Sequence, residues 1–155
     1  MKISTLCFCV KGNQVLLAMK KRGFGVGKWN GFGGKVRDDE TPKVAIVREV
    51  KEESGLVVDE KDLQQVAVVN FCFDGVLVFK CHVFMACLWD GVPVETEEMR
   101  PKWYSIDSLP FGEMWAVDIR WIPIVLAGEK IGVDVNYNMD GSVVKDFNYR
   151  SAEFG

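Results

Sequence analysis

The chain is expected to fold as an α/β protein, a mixed β-sheet flanked by helices. Three observations lead there: strand-like runs dominate the sequence, two helical segments are interspersed among them, and no internal repeat is present. A length of 155 residues fits a single domain, 1–155, able to bury a sizeable core.

The elements follow in order. Lys2 to Val10 and Val15 to Lys21 are strand-like runs around Lys11-Gly12-Asn13-Gln14, the composition of a hairpin. The glycine-dense stretch "RGFGVGKWNGFGGK" then reads as a loop. A helix is expected from Pro42 to Ser54, with Thr41 as N-cap, Pro42 at the first helical position and Gly55 as the left-handed residue beyond its end. Val44, Ile46, Val47 and Val50 form its apolar stripe. Gln64 to Phe73 and Val76 to Trp89 are further strands around Asp74-Gly75, and Lys102 to Ser105 is a shorter one. The segment Glu113 to Gly128 is expected to be helical toward its end, limited or kinked by Pro123. Ile131 to Tyr149 reads as a hairpin about Asp140-Gly141.

Composition narrows the function classes. With 48% hydrophobic and 26% charged residues, the chain has the make-up of a soluble globular protein. No apolar run approaches the roughly 20 residues of a membrane helix, and the N-terminus has no cleavage-site pattern. Cys7, Cys9, Cys72, Cys81 and Cys87 are odd in number and lack CxxC spacing, so they read as buried, reduced thiols of a cytoplasmic protein. A net charge of -3 gives no footprint for polymeric nucleic acid. His82, the only histidine, lies in a strand run and reads as structural.

The chemistry-bearing stretch is Gly34 to Leu56, "GKVRDDETPKVAIVREVKEESGL". Glu49, Glu52 and Glu53 fall within roughly a quarter-turn of one another on the expected helix. Like charges so spaced cost about 0.2–0.5 kcal/mol per pair, and anions near a helix C-terminus lose about 0.3–1 kcal/mol against the macrodipole. Arg48 offsets only part of this. Either the acids form a solvated face or a cation offsets their charge. The glycine loop fits neither common phosphate-binding pattern: Gly34-Lys35 is followed by Val36, not Ser or Thr, and Gly23, Gly25 and Gly31 each lack the third glycine of G-x-G-x-x-G.

As a pattern, Gly34, five residues, Glu40, seven residues and Arg48-Glu49-Val50-Lys51-Glu52-Glu53-Ser54-Gly55-Leu56 resembles the 23-residue box of the Nudix hydrolases. The resemblance implies an α/β/α sandwich. It also implies divalent cations, Mg²⁺ or alternatively Mn²⁺, held by Glu49, Glu52 and Glu53 with the Gly33 carbonyl, a donor set of the oxygen type these hard ions take. Arg48 would orient the glutamates, and Glu40 would brace the loop. Further segments, "MKKRGFG", "KWNGFGGKV", "HVF", "PVE", "EMRP" and "MW", are similar to the branch of MutT-like oxidised-purine nucleoside triphosphatases, the 8-oxo-dGTP diphosphatases. By that resemblance Asn30 reads the purine edge and Asp118 accepts its hydrogen bonds. Trp115, Phe24, Phe71, Phe73 and Met99 shape the base pocket, and Thr5 lines it. Lys20 and Phe32, Gly33, Gly34 and Lys35 lie along the substrate, and Glu98 is a metal-binding acid outside the box. Each aromatic alone reads equally as core packing, and Asn30 alone as a turn residue.

The implied reaction is attack of water on a small-molecule nucleoside triphosphate, giving monophosphate and pyrophosphate, with nucleotide-pool sanitation as its purpose. Glu53 is the first candidate base and Glu98 the second; which phosphorus is attacked stays open. The enzyme is expected to be a monomer without membrane or nucleic-acid partners. One departure from the resemblance stands out: Val117 takes the place of the first of two neighbouring aspartates, so Asp118 stands alone. Other readings are a Nudix hydrolase for a different diphosphate-linked nucleotide or ordinary dNTPs, and a nucleotide-binding module without catalysis.

Overall fold

The computed structural model describes residues 1–155. Its elements are β1 (Lys2–Lys11), β2 (Gln14–Lys20), β3 (Trp29–Asn30), α1 (Pro42–Ser54), β4 (Leu63–Phe73), β5 (Val76–Ala86), β6 (Met99–Ser105), α2 (Asp118–Leu126), β7 (Ile131–Tyr137) and β8 (Val144–Ser151). They form one mixed sheet in the order β3-β2-β1-β5-β4-β7-β8, with β6 paired to β2. β1 runs parallel to β5 and β4 parallel to β7, and the other pairs are antiparallel. No helix is long and apolar enough to cross a membrane.

Alternation along the strands builds a core on each face. Phe8, Val69, Val83, Val133 and Val135 point to one side, where Trp121, Ile122 and Val125 of α2 cover them. Cys7, Cys9, Leu16 and Phe84 point to the other, under Ile46 and Val50 of α1. The α/β/α layering follows directly.

The sheet is forked. β1 and β2 pair only at Cys9–Leu16 to Lys11–Gln14. Beyond that, β2 pairs with β3 through Ala18 and Met19, while β1 takes residues 32–35 as its neighbour through isolated bridges Cys7–Phe32 and Ser4–Lys35. The start of the acidic box therefore enters the sheet between two strands. Glycine makes this possible: a Cβ on Gly33 would sit 1.9 Å from the Thr5 carbonyl oxygen, and one on Gly31 2.4 Å from that of Cys7.

Several expectations need correction. Val44 is exposed, because the buried side of α1 is set by Ala45, Ile46, Val50, Glu53 and Ser54. β5 ends at Ala86, since the chain then turns so that Asp90 can bridge to Val57. Cys7, Cys9 and Cys81 are buried free thiols, whereas Cys72 is half-buried and Cys87, just past the end of β5, is exposed. His82 is half-buried within β5, with its Nδ1 2.9 Å from Gln65 Nε2.

Candidate active site

α1 is capped as its sequence dictates. Thr41 accepts from the Val44 amide, and Gly55 adopts φ 79°, donating its N–H to the Lys51 carbonyl. The cap directs the following chain so that Ser54 accepts at its carbonyl from the Val94 amide and Glu53 at its carbonyl from the Thr96 hydroxyl. That contact brings Glu98, on the same segment, toward the acidic end of α1.

Arg48 organises the box. Its Nε donates to Glu40 Oε2 at 2.7 Å and its Nη2 to Glu40 Oε1 at 2.9 Å, a bidentate pair, while Nη1 reaches Glu49 Oε1 at 2.9 Å and Glu52 Oε2 at 3.3 Å. Nη2 also donates to the Lys35 carbonyl, and Glu40 Oε1 accepts the Arg37 amide. Arg48 beside it, helped by the Arg37 amide, holds the Glu40 carboxyl down at about 2. Glu49 lies against the loop so closely that a Cβ on Gly34 would fall 2.6 Å from its Oε1.

Glu53 is different from its neighbours. It is 9% exposed and accepts the Gly33 amide on Oε1 at 2.9 Å. Burial, reinforced by the negative charges of Glu49 and Glu98, pushes its carboxyl up to about 8 against the pull of that amide and of Lys20. Glu98 faces the other way electrically: Arg22 Nε donates to its Oε1 at 2.9 Å and a second guanidinium nitrogen contacts the same oxygen, keeping this carboxyl below its ordinary value. The acids do not converge into a ready three-carboxylate cage here. Glu49 and Glu52 face Arg48, Glu53 faces Gly33 and Glu98 faces Arg22. As donors they nevertheless fit a hard divalent cation, since all are carboxylate oxygens. Replacing Gly33 by Ala should dislodge the loop, since the obstructing atom belongs to the β1 backbone. A stability loss on the order of 1–3 kcal/mol is expected in chemical denaturation; unchanged stability would mean that the loop is free to shift.

The second part of the site lies at the start of α2. Asp118 is 4% exposed and its Oδ2 accepts the Trp115 amide at 3.1 Å. Burial pushes this carboxyl up to about 7, with the Trp115 amide and the charge of Lys28 opposing the rise. Trp115 is half-buried, with the Phe24 ring stacked on it at 5.2 Å and Lys28 Nζ 5.1 Å from its centroid. Phe71 and Phe73 of β4 stack on Tyr137 at 6.5 and 5.3 Å, forming an aromatic array that continues to Phe79. Tyr137 and Lys28, both electrostatically coupled to Asp118, were not singled out from sequence. Lys28 carries the signal of a cation set between a glycine run and Trp29-Asn30, whereas Tyr137 looks like any strand aromatic.

Four residues expected near the substrate also have partners within the fold. Phe32 is fully buried under α1, so only its backbone can line a substrate. Met99 is 7% exposed in the same core. The Thr5 hydroxyl donates to the Gly34 carbonyl at 3.2 Å and thus ties down the loop. Asn30 Oδ1 accepts the Gly31 amide at 2.8 Å, which leaves its NH₂ group for recognition. Lys20 sits opposite Met99 across β2 and β6 and senses both Glu53 and Glu98, while Lys35 is exposed beside the box. A surface depression lined by Lys2, Lys35, Arg37, Asp38 and Glu40 runs outside the loop; it does not include Trp115 or Asp118.

Known proteins are similar to this chain in sequence and in fold. The model of the NUDIX domain matches residues 2–124. The oxidized purine nucleoside triphosphate hydrolase of Danio rerio is 50% identical over 126 residues, which are 81% of this chain and 80% of that protein. Its counterpart in Mus musculus is 45% identical over 130 residues, covering 83% and 82%. The crystal structure of a MutT protein from Bacillus halodurans superposes with a TM-score of 0.80 at 23% identity, covering 96% of this chain and 97% of that one, and establishes the likeness of fold. Nudix hydrolases generally use a divalent metal and act on small nucleotide substrates. A box loop seated in a sheet fork, a capped helix carrying its glutamates and relatives this similar over four-fifths of the chain leave one assignment: the protein belongs to the Nudix family of hydrolases.

Proposed function

We propose that the protein hydrolyses oxidised purine nucleoside triphosphates of the 8-oxo-dGTP type to the nucleoside monophosphate and pyrophosphate, removing them from the nucleotide pool. The observation that carries this reading is the Asp118 carboxyl, buried beside Trp115 and poised near neutrality. A carboxylate there accepts from the N1–H and N2–H edge of a guanine-type base, while the Asn30 NH₂ donates and an aromatic face packs on the ring. The names of the zebrafish and mouse relatives agree with it.

Mg²⁺ is the proposed cation, with Mn²⁺ able to replace it, and Glu49, Glu52, Glu53, Glu98 and the Gly33 carbonyl are its proposed ligands. Bound there, the cation would neutralise the triphosphate and acidify a water. The chain's own residues supply the rest. Arg48 donates to Glu49 and Glu52 and so orients them, Glu49 more firmly than the exposed Glu52. Glu53 is the proposed general base: Gly33 pins Oε1, leaving Oε2 to receive the proton of the attacking water. Glu98 is second choice, because Arg22 occupies its Oε1. Lys20, Lys35 and the Phe32–Gly34 backbone would line the phosphates. Phe24, Phe71, Phe73 and Trp115 would surround the base, with Thr5 and Met99 supporting from behind. We propose a cytoplasmic monomer.

The test is a Mg²⁺-dependent steady-state comparison of 8-oxo-dGTP, dGTP, 2-hydroxy-dATP and dATP with product identification. Preference for 8-oxo-dGTP is expected; equal turnover of all four would retain hydrolysis and reject the base assignment. Val117 is 2% exposed and adds no second carboxyl, so 2-hydroxy-dATP should be the poorer oxidised substrate. Asp118 alone then chooses between donor and acceptor. Its carboxylate fraction grows as pH rises through about 7. Preference for 8-oxo-dGTP over 2-hydroxy-dATP should therefore widen between about pH 6 and about pH 8; equal specificity constants at the upper end would overturn the single-carboxylate argument.

A further inference from the structure

The loop Lys21–Lys28 that joins β2 to β3 is tied at two places and buries little of its own. Phe24 is 83% and Val26 61% exposed, and the chain passes through positive φ at Gly23, Gly25 and Gly27. One tether runs to the segment before β6. The Lys21 amide donates to the Glu98 carbonyl at 2.9 Å, Lys21 Nζ reaches Glu95 Oε2 at 2.6 Å and the Thr96 carbonyl at 2.9 Å, and Arg22 grips Glu98 Oε1. The other tether runs to Trp115. Phe24 covers an indole face, and Gly25 approaches so closely that a Cβ would lie 3.2 Å from indole Cζ2. Exposed ion pairs of Lys21 with Glu95 and of Arg22 with Glu97 and Glu98 thus tie the lid on the base shelf to the segment before β6, and of these only Arg22–Glu98 engages an acid of the cation site itself.

A guanidinium and a divalent cation compete for the same carboxylate oxygen. We propose that Arg22 is a positioning residue: its ion pair with Glu98 latches Phe24 over Trp115, and cation occupancy at Glu98 releases the latch and uncovers the ring for a purine. This rests on Glu98 being a cation ligand, as proposed above. Release leaves Arg22 with only the longer contact to exposed Glu97, at 3.7 Å, so that its guanidinium is free to turn to a phosphate oxygen of the incoming nucleotide. Linkage is reciprocal, so whatever weakens the latch strengthens cation binding.

The test uses the full chain labelled with 5-fluorotryptophan, whose five tryptophan resonances include Trp115, assigned by its loss in Trp115→Phe. Without nucleotide, Mg²⁺ should move the Trp115 resonance of the wild type. In Arg22→Gln that resonance should already lie at the displaced position and ignore Mg²⁺, with Arg22→Lys in between. Mn²⁺ titrated by electron paramagnetic resonance should bind Arg22→Gln about two- to fivefold more tightly, the scale of an exposed ion pair. A Trp115 resonance indifferent to saturating Mg²⁺ in the wild type, or equal Mn²⁺ affinity in the two proteins, overturns the latch. Glu98→Gln separates the causes. Undiminished Mn²⁺ affinity in that variant removes Glu98 as ligand and the latch with it, whereas weakened affinity without a gain in Arg22→Gln removes the latch alone.

Discussion

Replacing Glu53 by Gln should cut turnover by about 10²–10⁴-fold, the range of a lost general base, while the protein stays folded. The amide oxygen can still accept the Gly33 N–H, and the side chain keeps its volume in a site that is 9% exposed. What disappears is a carboxylate that burial and two acidic neighbours already disfavour. The sign follows from linkage. A carboxyl raised to about 8 in the fold binds protons that the unfolded chain has given up, so wild-type stability falls as pH rises from its ordinary 4.5 through about 8. The Gln variant lacks this fall and should unfold at higher denaturant than the wild type above about pH 7. Single-turnover rates and denaturation curves on the same samples check both halves. Near-normal turnover would move the base to Glu98.

Asp118→Asn should gain stability and lose substrate selection. Displacement of this carboxyl from 3.8 to about 7 corresponds to about 4 kcal/mol at full linkage, all of it against the fold at high pH. Asn keeps an acceptor for the Trp115 amide, so a gain of about 2–4 kcal/mol is expected at pH 8, shrinking as pH falls and vanishing below about pH 3, where Asp is protonated folded or unfolded. Specificity for 8-oxo-dGTP should meanwhile drop by about 10²-fold or more, because an amide presents one fixed donor and one fixed acceptor where the carboxyl could present either. A variant less stable than the wild type at pH 8 would show that Asp118 is a structural acceptor instead. Stability surrendered at a buried ionisable group is the usual mark of a site kept for function.

The helix of the box was legible to the residue because Thr41, Pro42 and Gly55 each act locally, through a side-chain cap, a fixed φ and a left-handed φ. The hairpins at Gly12 and Asp74-Gly75 were legible for the same reason. β3 was not: Trp29 and Asn30 form a strand only because β2 diverges from β1 and leaves an edge for them. Helical spacing grouped the acids, and only the resemblance put Glu53 first among them. Glu49, Glu52 and Glu53 share one helix face, yet burial and the Gly33 amide single out Glu53 while Arg48 takes the other two. Phe32 and Met99 were named by resemblance alone, and their burial in the core under α1 became visible only in three dimensions. The Arg22–Glu98 pair, 76 positions apart, has no sequence periodicity to betray it.

The fork between β1 and β2 has a consequence for how this enzyme fails. Residues 32–34 exchange amide and carbonyl partners with Thr5 and Cys7 as a strand would, through bonds of 2.6 to 3.0 Å. A catalytic loop on the surface can fray while the domain survives, giving folded molecules that are inactive. Here fraying the loop strips one edge of β1 of its hydrogen-bond partners, although β5 still holds the other edge. Loop opening is therefore expected to cost sheet hydrogen bonds, and residual activity and folded fraction should fall together along a denaturation curve; activity lost first would show that the loop opens by itself.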